Sequence, residues 1–150
     1  MTSPAKTMYV GSFRHNLDAK NRLTVPSKWR FAGDQEDVYL AIPHPNGYIM
    51  VLPPAEVERL QQQVMGVQMG DDEGQALLNQ IFAVSSSMGC DKQGRISLTD
   101  QLVLHAGIKK EAMLVGTMTK FGIWLPEKWE KQNQAGEQTN LSELMRKIGF

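Results

Sequence analysis

Asp18 and Asp91 stand 73 positions apart, and sliding the sequence against itself by that offset brings two segments into register without a gap. Asp18-Ala-Lys-Asn-Arg22-Leu-Thr-Val25 falls on Asp91-Lys-Gln-Gly-Arg95-Ile-Ser-Leu98. Further along, Tyr48 meets Phe121, Leu52 meets Leu125 and Pro53 meets Pro126. A repeat of this length restricts the fold to two copies of one small supersecondary unit, related by an approximate twofold axis.

Each copy reads the same way. A strand comes first, over Met8 to Phe13 in one half and Ala83 to Met88 in the other. The Asp-x-x-x-Arg segment follows as a turn, because Asp bonds its own backbone and Asn21 or Gly94 tolerates positive φ. The next strand alternates, with Leu23 and Val25 opposing Arg22 and Thr24, and Ile96 and Leu98 opposing Arg95 and Ser97, the signature of a half-buried strand. Short helices are then expected, one from Pro26 to an end at Gly33, the other capped by Thr99 or Asp100 and closed by Gly107. A hairpin follows in each half: Val38–Ile42 and Tyr48–Leu52 around the Asn46-Gly47 turn, and Ala112–Gly116 with Phe121–Leu125. Apolar spacing predicts helices over Pro54–Met69 and Gln75–Phe82, then Pro126–Gln132. A loose stretch is expected at Gln134–Glu137, before an amphipathic tail at Leu141–Ile148 with Asn140 as its N-cap. The resulting division is residues 1–82 and 83–150.

The 150 residues carry 16 basic and 16 acidic side chains. The average charge therefore announces no nucleic-acid partner, but its distribution is uneven. Residues 1–30 hold six basic residues against Asp18 alone, and residues 31–90 hold eight acids against Arg59. Screening limits the reach of distant acids to about 8–10 Å at physiological salt, so a basic N-terminal face acts on its own. Cys90 is the single cysteine, which excludes an intrachain disulfide and leaves no Cys-x-x-Cys metal or redox motif. No apolar run reaches the length of a membrane span and no secretory h-region is present, so a cytoplasmic protein without a membrane partner is expected.

The residues that can carry chemistry gather at the repeated turns. Lys20 and Arg22 stand two apart, Arg14 and His15 lie just before the turn, and the second copy supplies Lys92 and Arg95. The guanidinium fork matches phosphate and the O6/N7 edge of guanine, and a two-stranded ribbon fits the major groove. An isolated Asp-x-x-x-Arg reads first as an ion pair that shapes its own turn; duplication of the whole group with extra lysines reverses that preference in favour of DNA binding. Asp18 and Asp91 as paired acid–base carboxylates are the weaker reading, and no phosphate-binding Gly-rich loop occurs. His15, His44 and His105 are scattered, so no metal site, cofactor or Cys–His nucleophile is expected. Trp29, Trp124 and Trp129 read as core or subunit contacts.

The segment Gly11-Ser-Phe-Arg-His-Asn-Leu-Asp-Ala-Lys-Asn-Arg-Leu-Thr-Val-Pro-Ser-Lys-Trp-Arg30 resembles the first signature of the MraZ family. Asp91–Leu98 resembles its second, and Phe121-Gly-Ile-Trp124 the segment that follows. The resemblance implies an α+β fold of two AbrB-like swapped-hairpin units in one chain, interleaved into a barrel-like sheet with peripheral helices. It implies no enzyme and no small-molecule substrate. The implied protein is a sequence-specific regulator, expected to repress the division and cell-wall gene cluster. It would bind repeated promoter boxes on double-stranded DNA as a closed ring, associated with the nucleoid. Carried over by motif, Asp18, Lys20 and Arg22 read DNA in the first half, and Asp91 and Arg95, with Lys92 nearby, in the second. Three positions depart from the pattern: Asn21 replaces a common Gly, Lys92 follows its Asp by one place instead of two, and Thr99 replaces a common proline. A ring that gathers protein partners without reading DNA is the competing expectation.

Overall fold

The structure, a computed structural model, describes residues 3–137 and 141–150. It is an α+β fold with five α-helices and eight strands among the described residues. In the first half come β1 (Ser12–Asn16), β2 (Arg22–Thr24), β3 (Tyr39–His44) and β4 (Tyr48–Leu52), then α1 (Pro54–Met65) and α2 (Asp72–Phe82). The second half runs β5 (Ser86–Met88), β6 (Arg95–Ser97), α3 (Asp100–Ala106), β7 (Glu111–Gly116), β8 (Phe121–Trp124), α4 (Pro126–Glu137) and α5 (Leu141–Lys147).

Six strands form one antiparallel sheet in the order β1-β7-β8-β4-β3-β5, and β2 pairs with β6 in a separate two-stranded ribbon. The halves exchange strands. The first strand of each half lies beside the third strand of the other, β1 on β7 and β5 on β3. The register obeys the offset of the sequence repeat: Phe13 opposes Leu114 just as Ser86 opposes Ala41, and Arg22 opposes Ser97 just as Arg95 opposes Thr24.

Local chemistry sets the boundaries. α2 starts where Asp71 accepts the Gly74 amide at 2.9 Å, with Asp72 and Glu73 in the favourable first turn. Thr99 caps α3 by accepting the Leu102 amide at 3.2 Å, and α3 ends on Gly107 at φ +72°, as expected. Other boundaries move. Gly11, at φ +96°, breaks the expected Met8–Phe13 strand, so β1 begins at Ser12 and Tyr9 makes only an isolated bridge to Met118. The helix expected between Pro26 and Gly33 is one 3-10 turn, Ser27–Trp29, because the Asp34 carboxylate takes the Phe31 amide from any helical ladder. α1 stops at Met65, four residues short of Met69. The loose stretch at Gln134–Glu137 is instead the end of α4, where the cost of one helical glycine, about 1 kcal/mol, does not outweigh the straight-chain formers around it. The expected cap Asn140 lies outside the described residues.

The core forms between the sheet and the ribbon. Leu23 and Ile96, opposed in the ribbon, are fully buried, as are Trp29, Ile49, Leu114 and Ile123. Trp29 stands at the centre of an aromatic group, 5.0 Å from Phe121 and 5.3 Å from Phe13 between ring centroids. Burying each such side chain is worth about 1.5–3 kcal/mol, so the apolar face of the ribbon fixes its seat on the sheet. The opposite face is left for other uses.

Candidate nucleic-acid interface

The two Asp-x-x-x-Arg turns match bond for bond. In the first, Asp18 Oδ1 accepts the amides of Lys20 and Arg22 at 2.9 and 2.8 Å, and Oδ2 accepts Arg22 Nε–H at 2.7 Å. In the second, Asp91 Oδ1 accepts the amides of Gln93 and Arg95, both at 2.9 Å, and Oδ2 accepts Arg95 Nε–H at 2.9 Å. The third turn residue donates its amide to the aspartate carbonyl in both, Asn21 to Asp18 and Gly94 to Asp91, each at 3.0 Å. Those residues sit at φ +59° and +80°, the left-handed region that Asn and Gly enter at least cost. The turns also lock each other: Val25 donates to the Gly94 carbonyl and Leu98 to that of Asn21, both at 2.9 Å.

This geometry shows the turn-shaping ion pair of the motif directly. The aspartate does shape the turn and does pair with its arginine. It binds through Nε, however, and the Nη1 and Nη2 groups of Arg22 have no hydrogen-bond partner among the described residues. Arg22 and Arg95 keep 30% and 27% of their side chains exposed, so neither is locked inside. Arg95 Nη1 also lies 3.9 Å from Asp18 Oδ2, which ties the second arginine loosely to the first turn. Arg22, Thr24, Arg95 and Ser97 share the face of the ribbon opposite the buried Leu23 and Ile96.

The arginine amides hold both carboxyls below the usual value near 3.8, Arg22 N–H at Asp18 and Arg95 N–H at Asp91 being the largest cause. Both are therefore anionic at neutral pH, the wrong state for a general acid. Among the described residues, no group of three or more His, Cys, Asp or Glu is placed to hold a metal ion. No helix there is long and apolar enough to cross a membrane. Cys90 is buried, and burial pushes its thiol up to about 11.

The other candidates are distributed unequally. Lys20 and Lys92 are exposed on the two turns. Arg14 is not at the tip: it pairs with Glu111 at 3.0 Å and with Glu130 at 3.6 Å, at the outer edge of the sheet. His15, the next residue on β1, takes the other face and lines a groove with Thr24, Lys28, Arg30 and Gln93. Among the tryptophans, Trp29 and Trp124 are core, and Trp129 is partly exposed beside Trp124 at 5.5 Å. Sequence reasoning passed over Arg30. Its guanidinium lies over Gly94, leaving no room there for a Cβ, and Asp34, wholly buried, holds it at 2.6 Å. The signal was the spacing of Arg30 and Asp34, the Asp-x-x-x-Arg motif reversed.

A protein-family model described as "MraZ protein, putative antitoxin-like" matches residues 81–147. Relatives match along almost the whole chain. The transcriptional regulator MraZ of Symbiobacterium thermophilum is 33% identical over 142 residues, covering 94% of this chain and 100% of its own. Its namesake in Lachnoclostridium phytofermentans is 32% identical over 144 residues, covering 95% and 99%. That of Clostridium acetobutylicum is 29% identical over 144 residues, covering 95% and 100%.

Proposed function

Because the chain belongs to the MraZ family and is a transcriptional regulator, not an enzyme, we propose that it regulates by reading double-stranded DNA through its paired arginines. The observation that carries this reading is the duplicated clamp. A carboxylate that engages Nε and leaves the Nη groups without a hydrogen-bond partner among the described residues, with only a loose 3.9 Å approach of Arg95 Nη1 to Asp18, preorganises a guanidinium fork, and such a fork matches guanine O6/N7 or a phosphate. Asp18, Arg22, Asp91 and Arg95 form the reading elements, Lys20 and Lys92 add phosphate contacts, and His15 lies at the margin. Arg14, already neutralised by two glutamates, contributes least.

Residues 1–82 and 83–150 act as two AbrB-like swapped-hairpin units. One ribbon is a small reader, so several are needed on tandem promoter boxes. Exposed Met65 on α1, Leu77 on α2, and Leu141 and Leu144 on α5 supply apolar surface for self-association into a ring. Linking sites in this way raises avidity by about 10²–10⁴. Repression of the division and cell-wall cluster by excluding polymerase, on the nucleoid, completes the reading and follows the family resemblance.

The test is Arg22→Ala in a gel-shift at fixed salt with the chain's own promoter. Each arginine fork is worth about 1–3 kcal/mol, and a ring multiplies the loss, so binding should disappear while the oligomer stays folded. Binding within about threefold of the unaltered protein would overturn the reading, since one lost fork already costs more than that. Loss of regulation on removal of α5, with Arg22→Ala harmless, would favour a protein-gathering scaffold instead.

A further inference from the structure

Beside the ribbon the twofold symmetry of the chain breaks, and the break is chemical. A groove of about 430 Å³ runs between the segment after β2 and the turn of the second half. Its polar lining is His15, Thr24, Ser27, Lys28, Arg30 and Gln93, with no carboxylate among them. These side chains carry N–H or O–H groups suited to an incoming oxyanion. Arg30 is held as Arg22 is: Asp34 accepts Nε–H at 2.6 Å and Nη2–H at 3.3 Å, and Nη1 has no acceptor among the described residues. Only 17% of the Arg30 side chain is exposed, so its position is fixed by the fold. Lys28 is exposed and enters none of the ion pairs among the described residues.

The corresponding place in the second half is less cationic. Under the repeat offset Asp100 replaces Ser27, Gln101 replaces Lys28, Val103 replaces Arg30 and Met88 replaces His15. Asp100 there accepts Asn21 Nδ2–H at 2.6 Å. Lys20 takes the place of Gln93, so one lysine there is offset by Asp100, whereas Lys28 and Arg30 face no carboxylate in the lining of the first groove. The groove also adjoins the arginine face, because Thr24 lines it and opposes Arg95 across the ribbon.

We propose that this groove seats one phosphate of the DNA backbone, in the first half only, and so gives each chain a single direction on the duplex. The proposal rests on the DNA-binding reading above. Two equivalent arginines present the same face after a half-turn, so they alone do not distinguish the two orientations; one unpaired phosphate seat does. Boxes repeated head to tail would then be read by chains that all face the same way.

Fluorescence anisotropy on a random-sequence duplex, followed across salt, tests it. Lys28→Ala leaves the Arg30–Asp34 pair intact. It should flatten the log–log salt slope by about 0.9, so that the advantage of the unaltered protein shrinks about 3.5-fold between about 50 and 200 mM KCl. Lys28→Arg should restore the slope, and Gln101→Ala, at the mate position, should leave it unchanged. An unchanged slope for Lys28→Ala, with the unaltered protein still binding, overturns the phosphate seat and spares the DNA-binding reading. Failure of the unaltered protein to bind any duplex removes both. Calorimetry with inorganic phosphate at constant ionic strength separates the sources: saturable binding lost in Lys28→Ala, without a change in DNA slope, assigns the groove to free phosphate and overturns the backbone proposal.

Discussion

Asp34→Ala is expected to destabilise the chain sharply, although residue 34 touches no solvent and lies outside both repeated turns. Its carboxylate accepts three donors: Arg30 Nε–H at 2.6 Å, Arg30 Nη2–H at 3.3 Å and the Phe31 amide at 3.2 Å. Alanine strips all three, while the Asp34 carbonyl still accepts the Cys90 amide at 2.7 Å. Breaking a buried ion pair by removing one partner costs about 3–5 kcal/mol, because the other charge stays behind without compensation. The orphaned Phe31 amide adds about 1–3 kcal/mol. The two do not sum fully, since Arg30 relaxes toward water through its remaining exposed surface. A net loss of about 4 kcal/mol follows, and at about 2–4 °C per kcal/mol for a chain of this size the melting temperature falls by about 8–16 °C. Thermal and urea unfolding followed by circular dichroism, at one fixed protein concentration, reads both quantities. The pair Arg30→Met with Asp34→Leu should recover most of the loss, since two apolar side chains leave no buried charge. A loss below about 1 kcal/mol for Asp34→Ala, or a double variant weaker than the single, would refute the account of a buried, mutually dependent pair.

Gly94→Ala should cost about 2 kcal/mol, from the left-handed backbone and from the collision of its Cβ with the held Arg30, and is read by the same unfolding curves; a neutral result would mean that Arg30 moves freely. The acid limb of stability should depend on the two turns. Asp18 and Asp91 have lowered pKa values in the folded chain, so their contribution is complete above about pH 4 and is lost as the pH falls through the folded values. Asp18→Asn should therefore show a shallower decline below that point in urea melts at stepped pH, and an unchanged decline would contradict the carboxylate's role.

Much of this architecture was legible because periodicity and the repeat are properties of order along the chain. The alternation of Leu23 and Val25 against Arg22 and Thr24 gave the buried face of the ribbon, and the Asn46-Gly47 pair gave the β3–β4 turn, with Gly47 at φ +85°. The offset of 73 anticipated even the hydrogen bonds of the second turn. What order along the chain does not encode is which strand meets which. Arg14 read as a free cation at a tip, yet strand exchange sets it diagonally across from Glu111, 97 positions away. Arg30 escaped for the same reason, since its neighbour Gly94 belongs to the other half. The helix after Pro26 was misread because Asp34, just past its expected end, captured the backbone donor of Phe31 three residues before it, a competition invisible to apolar spacing.

The exchange of β1 and β5 between the halves makes neither half sufficient. A protein cut at the midpoint would have to recruit a second molecule to complete its sheet, and its folding would weaken on dilution. Joined in one polypeptide, the same association becomes intramolecular and independent of concentration. The covalent tether has another result. Two identical molecules related by an axis must carry identical surfaces, whereas fused copies are free to diverge, and Lys28 and Arg30, replaced in the second copy by Gln101 and Val103, are divergence of that kind.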